Sequence, residues 1–474
     1  MKSVYWNYCK GQVVIIFAIS LIVLIGMVGL AIDSGRGYAV KAKLSAAVDA
    51  ASIAAGRALA AGGGANDPTA NATAAATKFY YANFPNNYLG ATPAAPGVVV
   101  QHLANGSWQV TVTGSANMPR TFMRIFGQNQ VAVAAVGQAV RRDTDLILVL
   151  DTTGSLGPPW SPSGTFDKVK AAAISFISKF AEGQGGDRVG LVTFAYGAVV
   201  DEHIGANRGF DKASIIAKIN ALTNAGGTTS AEGMRRGYNE LDAVPAALRS
   251  SLRVIVFFSD GAPNGVPATF TRSGGATITG DIYAGPFGVD TGDSTFWNAR
   301  AQDAWRWDQR NTSLGTYSDI PSLPLTSGAT LTLTGIGSIP LASYNNIRTL
   351  TGTPYTNTRC NANKAARNML ENIANTARGQ DIVVFSIGLG SMLNQLEVIG
   401  CGYASAPALP PGTCPGPTVC PECGCSIMKR VANTNDSNTL NAAQPIGRFV
   451  YAANESELDS AFNEIASEIL RLSM

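Results

Sequence analysis

The chain has 474 residues, too many for one ordinary domain, and its hydrophobic fraction of 46% is enough for a sizeable core. Its net charge is +3, and no run of Lys and Arg tracks a phosphate backbone, which argues against nucleic acid as a partner. Two histidines, His102 and His203, leave little room for zinc-enzyme or histidine-base chemistry.

A short N-terminal segment, 1–12, precedes Val13–Ile32, a run of 20 residues without a charge. A helix of that length spans roughly 30 Å, the hydrocarbon thickness of a bilayer. The apolar core of a cleaved signal peptide is usually ~7–15 residues, so the run is too long for one. It is apolar on every face, unlike a surface helix. It reads as a single transmembrane helix. Charge does not set its orientation, because Lys2 and Lys10 precede it and Arg36, Lys41 and Lys43 follow.

Asp33–Ala61 continues as a helix, with Leu44, Val48, Ala51, Ala55, Ala58 and Leu59 at helical spacing. Gly62-Gly63-Gly64 breaks it, and 65–96 reads as a polar connector. Strands are expected near Val98–His102 and Trp108–Gly114, joined by the turn Asn105-Gly106, and again over Val131–Val140. Residues 33–140 thus form a helical stalk with a small α+β region.

From Asp145 onward, buried strands alternate with amphipathic helices, and 143–474 reads as one α/β domain. The apolar runs are Leu146–Leu150, Val189–Phe194, Val254–Phe258, Ile382–Gly390 and Phe449–Ala453. Between them lie helical stripes through Val169, Ala172, Ala173, Phe176, Ile177 and Phe180, through Ile215, Ile216, Ile219 and Leu222, and over Leu458–Leu472. The pattern predicts a mostly parallel, Rossmann-like sheet covered on both faces, with ligands beyond the C-terminal strand ends.

Three segments sit at those ends: Asp151-Thr152-Thr153-Gly154-Ser155, Gly226-Gly227-Thr228-Thr229-Ser230 and Ser259-Asp260-Gly261. They offer carboxylates and hydroxyls without His or Cys. Such hard oxygen donors suit Mg²⁺ first, with Mn²⁺ or Ca²⁺ as alternatives, rather than zinc. Two carboxylates balance the charge of a divalent cation. Neutral hydroxyls leave the cation electrophilic, with a position open for an acidic group from outside.

Here the sequence resembles a known family. The first segment is similar to the Asp-x-Ser-x-Ser opening of the metal-ion-dependent adhesion site of von Willebrand factor A domains. The second resembles its Gly-Gly-Thr loop, and Phe257-Phe258-Ser259-Asp260-Gly261 resembles its strand-end aspartate. The resemblance implies metal roles for Asp151, Thr153, Ser155, Thr228 and Asp260. Thr153 stands where serine is usual, Thr229 is the other register for the loop threonine, and Asp260 would act through water. It also implies that an acidic side chain of the partner completes an octahedral shell. A second resemblance, to TadG-like assembly proteins of the Flp (tight adherence) pilus, is carried by Gly29, Asp33, Gly35, Arg36, Tyr38, Leu44 and Ala47-Val48-Asp49. The closing stretch from Leu458 to Leu472 carries it too. It implies an inner-membrane anchor, with 33–474 facing the periplasm or exterior, and pilus or envelope components as partners.

Six of the seven cysteines, Cys360, Cys401, Cys414, Cys420, Cys423 and Cys425, cluster late in the chain; Cys9 stands apart. An even set outside the cytosol reads as disulfides, although Cys420 and Cys423 have the spacing of a zinc or redox pair. The stretch 262–360, rich in Thr, Gly and tryptophan (Trp297, Trp305, Trp307), reads as an insertion that leaves the sheet at the metal edge. No P-loop, nucleophile elbow or dinucleotide fingerprint is present, so an enzyme is not expected. Two readings remain: a cation-dependent adhesion or pilus-assembly module, and a minor-pilin-like scaffold whose metal site does not function.

Overall fold

The computed structural model describes residues 12–60, 68–103, 107–183, 186–261, 263–272, 274–283, 302–317, 330–333, 335–341, 348, 350, 359–394, 414 and 423–473. The expected breaks at Gly62–Gly64 and Asn105-Gly106, together with Cys9, Cys401, Cys420 and Trp297, lie outside them. The chain divides into two compact units, Met1–Arg141 and Arg142–Ser473.

In the first unit, α1 runs without a break over Gln12–Ala60. Large apolar side chains along its first stretch are exposed, from 42% at Ile32 to 70% at Val13. Among the described residues it is the one helix long and apolar enough to cross a membrane, and it is compatible with a single-pass anchor. Farther along, the same helix turns amphipathic. Val40, Leu44, Ala47, Val48, Ala51, Ala55 and Leu59 are buried at helical spacing and form the core of this unit.

A second helix, α2 (Pro68–Asn83), lies where the sequence reads as a polar connector. It buries Ala72, Ala76 and Tyr80 at four-residue spacing, and Phe84 just beyond continues the series. Proline suits its first position, because an N–H there has no partner within the helix.

These helices pack on strands β1 (Thr92–Pro93), β2 (Gly97–His102), β3 (Ser107–Pro119) and β4 (Gln130–Arg142). β2 pairs antiparallel with β3, from Gly97 opposite Thr113 to His102 opposite Trp108, and β4 pairs with β3 as well. The β3–β4 hairpin is closed by Arg120 N–H donating to Asn129 C=O at 3.0 Å and contains a 3₁₀ turn, Met123–Phe126.

The second unit is built on β5 (Thr144–Asp151), β6 (Arg188–Phe194), β7 (Ala198–Glu202) and β8 (Leu252–Ser259), completed by β15 and β16 described below. Helices α3 (Thr165–Ile177), α4 (Lys212–Ala221) and α5 (Ser230–Ala243) lie between these strands in the chain. After β8 come β9 (Gly265–Thr271), β10 (Thr277–Tyr283), β11 (Gln302–Trp305), β12 (Ser313–Tyr317), β13 (Thr330–Leu333) and β14 (Gly337–Pro340). Helix α6 (Arg359–Arg378), β15 (Ile382–Leu389), α7 (Gly424–Ala432), β16 (Phe449–Ala452) and α8 (Leu458–Leu472) complete the chain.

The main sheet has the order β16-β15-β8-β5-β6-β7 and is parallel except for the edge strand β7. Along β5, Ile147 and Val149 pack on one face while Leu146, Leu148 and Leu150 pack on the other. One face is covered by α5, α6 and α7, the other by α3, α4 and α8. Covering both faces is what makes each strand a continuous apolar run rather than an alternating one.

The insertion has regular structure. β9–β12 form an antiparallel sheet in the order β12-β11-β10-β9, and β13 pairs with β14. α6 and α7 were not foreseen from the sequence. Much of the buried stripe of α6 consists of Ala362, Ala365, Ala366, Ala374 and Ala377, interleaved with polar residues. Cys414 and Cys425 form a disulfide, and Cys423 is disulfide-bonded as well. The first pairing removes Cys414 and Cys425 from any zinc site. The side chain of Cys360, in α6, lies outside the described residues.

Candidate metal-ion site

β8 and β6 lie on opposite sides of β5, so the loops after β5 and β8 diverge at the point where the strand order reverses. Leu150 is registered against Phe258, which sets the strand-end residues Asp151 and Ser259 side by side. Ser259 Oγ donates to Asp151 Oδ2 at 2.6 Å, and Thr153 N–H donates to Asp151 Oδ1 at 2.8 Å. Thr153 Oγ1 and Ser155 Oγ are 2.8 Å apart, and Ser155 Oγ donates to Asp260 Oδ1 at 2.8 Å. Residues from two loops 105 positions apart are thereby joined into one polar cluster.

The middle loop is tied to both. Ala225 N–H donates to Thr152 C=O at 2.9 Å, and Gly154 N–H to Gly226 C=O at 3.1 Å. Gly226 has φ +90°, which favours glycine, and a Cβ there would also stand 2.7 Å from the Tyr196 ring. Asn264 grips the loop from the other side: its Oδ1 accepts Thr228 N–H at 2.8 Å and its N–H donates to Thr228 C=O at 2.9 Å.

Two hydroxyls follow in this loop, and they differ. Thr229 Oγ1 donates to Tyr196 C=O at 2.8 Å. Thr228 Oγ1 is buried and makes no hydrogen bond. A buried hydroxyl without a partner is uncommon and calls for a ligand. Of the two expected registers, Thr229 is committed to Tyr196, and Thr228 keeps an unused hydroxyl.

All five predicted side chains lie within 3% of full burial. Burial pushes the Asp151 carboxyl up to about 6, against the opposing hydrogen bonds from Ser259, Thr153 and the Asp260 backbone. A carboxylate so desolvated is stabilised by a cation. Among the described residues no group of three or more His, Cys, Asp and Glu converges on a metal position. The bonded cluster brings together two predicted carboxylates, Asp151 and Asp260, and two predicted hydroxyls, Thr153 and Ser155, a set of hard oxygens that fits Mg²⁺, Mn²⁺ or Ca²⁺. The sequence reading missed Ser259 and Asn264 as positioning residues. Ser259 stood inside a quoted motif, whereas Asn264 carried no signal.

Described residues of the insertion lie against the loops of this edge. The rings of Tyr196 and Trp305 stack at 3.6 Å, and Tyr283 meets Tyr196 edge-on at 4.9 Å. A Cβ on Gly227 would stand 2.3 Å from the Tyr283 ring. Arg310 pins the insertion to the sheet, donating to Thr193 Oγ1 at 2.7 Å and Asp201 Oδ1 at 2.8 Å. The guanidinium of Arg236 sits 4.1 Å from the centre of the Trp307 ring.

Residues 145–280 match the model of the von Willebrand factor type A domain, and residues 11–62 match that of the putative Flp pilus-assembly TadE/G-like family. No curated protein matches the chain. Among solved structures, the chain is similar to the vWF domain of the type V pili tip protein Mfa5 from Porphyromonas gingivalis. The identity is 17%, with 71% of this chain and 98% of that one covered and a TM-score of 0.38. A mutant of the PilB minor pilin from Streptococcus sanguinis matches at 16% identity, covering 80% of this chain and 79% of that one, with a TM-score of 0.36. Proximal thread matrix protein 1 from the mussel byssus, with a zinc-occupied MIDAS motif, matches at 12% identity over 70% of this chain and 46% of that one, with a TM-score of 0.32.

Proposed function

We propose that this chain, which carries a von Willebrand factor A domain behind a TadE/G-like N-terminal region, is a membrane-anchored binding module of the bacterial envelope. It would act in adhesion or pilus assembly through a divalent cation. The observation that carries the reading is the hydrogen-bonded cluster of Asp151, Thr153, Ser155 and Asp260, with a buried, unbonded Thr228 hydroxyl on the loop tied to it. When bound, the cation supplies an electrophilic point for a carboxylate of a protein partner. Asp151 and Asp260 balance its charge, while Thr153, Ser155 and Thr228 offer neutral oxygens. Asn264 and Ser259 hold those groups in place. Binding rather than turnover is the chemistry proposed for this set, in keeping with the A-domain match.

The anchor would be Val13–Ile32 in the inner membrane, with the rest of the chain in the periplasm or outside. Oxidised Cys414, Cys423 and Cys425 support an oxidising compartment.

The test is thermal unfolding of the full chain in detergent, with Mg²⁺, Mn²⁺, Ca²⁺ or chelator. A cation that binds only the folded state adds about 2.7 kcal/mol at a hundredfold excess over Kd. The expected result is a rise in Tm that Asp151→Ala abolishes. A second reading, a scaffold whose metal site does not function, is favoured by the depth of the five donors beneath the insertion. No shift with any of the three ions supports that reading instead.

A further inference from the structure

We propose that the tip of the β3–β4 hairpin, around Phe122, Ile125 and Phe126, inserts into the bilayer beside α1, so that the first unit holds the membrane at two places. The inference rests on reading Val13–Ile32 as membrane-spanning. Asp33 ends that apolar run and is 5% exposed. Its Oδ1 accepts Thr121 N–H at 3.0 Å, and its Oδ2 accepts Phe122 N–H at 3.0 Å and Met123 N–H at 2.9 Å. Arg36 adds a bond to Leu89 C=O at 2.8 Å and another to Thr121 Oγ1. The hairpin is thus fixed to α1 at the boundary of the apolar run.

Its tip then lies along the run itself. A Cβ on Gly29 would stand 2.5 Å from Phe122 Cβ, and one on Gly26 would stand 3.4 Å from the Phe126 ring. At 1.5 Å per residue, Gly29 and Gly26 are about 6 and 10 Å inside the run from Asp33. Two glycines on one helix face make the flat surface on which these aromatic side chains rest. Whatever surrounds α1 at that depth also surrounds the tip.

The exposed chemistry fits lipid. Ile125 is 75% exposed and Phe126 51% exposed, at the end of a loop with no described partner for those surfaces. The backbone is suited to a dry setting. Besides the three N–H groups held by Asp33, those of Arg120, Ile125, Gly127 and Gln128 donate to carbonyls within the hairpin. Arg120 precedes the apolar tip and Arg124 lies within it, and long cationic side chains at such positions can reach back to headgroup phosphates. The exposed apolar surface of α1 and that of the tip are continuous, which points to one occupant, the acyl chains of a phospholipid bilayer.

The experiment uses the full chain in phosphatidylethanolamine–phosphatidylglycerol vesicles, with the photoreactive residue p-benzoylphenylalanine placed in turn at Leu21, Val99, Ile125 and Phe126. Val99 is 51% exposed but pairs with Thr111, on the order of 26 Å down β3 from its end. Lipid adducts at 21, 125 and 126 but not at 99 are expected. Lipid adducts at 21 with none at 125 or 126, or adducts at 125 to a second protein chain, overturn the proposal and leave the anchor standing. Absence of lipid adducts at 21 as well as at 125 overturns the anchor reading and this inference with it.

Discussion

The hydroxyl of Ser259 donates to Oδ2 of Asp151 at 2.6 Å, joining the ends of two neighbouring parallel strands. This bond orients a fully buried carboxylate and removes one of its oxygens from rotational freedom. Groups that orient a metal ligand from behind typically change affinity by about 10–100-fold when removed. Ser259→Ala should therefore keep the fold and weaken the cation-dependent rise in Tm by that order. Titration of Mg²⁺ against the Tm of the variant checks it. An unchanged titration would show that Asp151 needs no such support.

Asp33 accepts three backbone N–H groups from the β3–β4 hairpin. Asp33→Ala removes all three acceptors and leaves the donors facing an apolar helix. An unmet buried donor costs about 1–3 kcal/mol. The measurement is amide hydrogen exchange at residues 121–123 of the full chain, which should speed up at least tenfold. Asp33→Asn, which keeps an acceptor oxygen, should lie between the two.

Arg310 joins the insertion to Thr193 and Asp201. Arg310→Ala strips Asp201 of its ion pair and frees the segment that carries Trp305 and Trp307. The expected loss is about 1–3 kcal/mol, with faster proteolysis within 302–317. If the insertion governs access to the metal edge, the same variant should bind and release Mg²⁺ faster in stopped-flow chelation.

Glu371 in α6 is 1% exposed and lies between two guanidiniums, Arg348 Nη2 at 2.6 Å and Arg430 Nε at 2.7 Å. Burial alone would push its carboxyl up, but the two arginines outweigh burial and hold it below its ordinary 4.5. A depressed carboxyl contributes stability that is present above pH 4.5 and lost as the pH falls through the lower, folded value. The second unit should therefore lose stability below pH 4.5, and Glu371→Gln should flatten that part of the curve. At neutral pH the same change leaves two buried cations and should cost about 3–5 kcal/mol. Denaturant unfolding between pH 3 and 8 distinguishes the two effects.

The main sheet was legible in the sequence because its central strands are buried on both faces, so that Leu146–Leu150 and Val254–Phe258 lack any polar residue and Val189–Phe194 and Ile382–Leu389 have one each, Thr193 and Ser386. That Asp151 and Asp260 meet at one edge was legible because both follow the ends of neighbouring parallel strands. α2 was not, because its buried side is only Ala72, Ala76 and Tyr80, with Phe84 just beyond, set among Thr and Asn, which favour turns as readily as helices. α6 was hidden by a buried stripe made largely of alanine, and on the same helix Arg367, Asn368 and Glu371 are buried as well. Asn264 acts through its side-chain amide on a backbone 36 positions away, and no local pattern marks such a bond.

α1 passes from apolar surface to packed core over 49 residues without an interruption. At 1.5 Å per residue it is a rod of ~73 Å. With no hinge between the two stretches, the first unit does not swivel on a tether. Were Val13–Ile32 to span a bilayer, the attitude of the unit to it would be the tilt of one helix, and tension applied to the unit would run down a single ladder of axial hydrogen bonds. A load across the axis would then be resisted where Asp33 ties the hairpin to the helix.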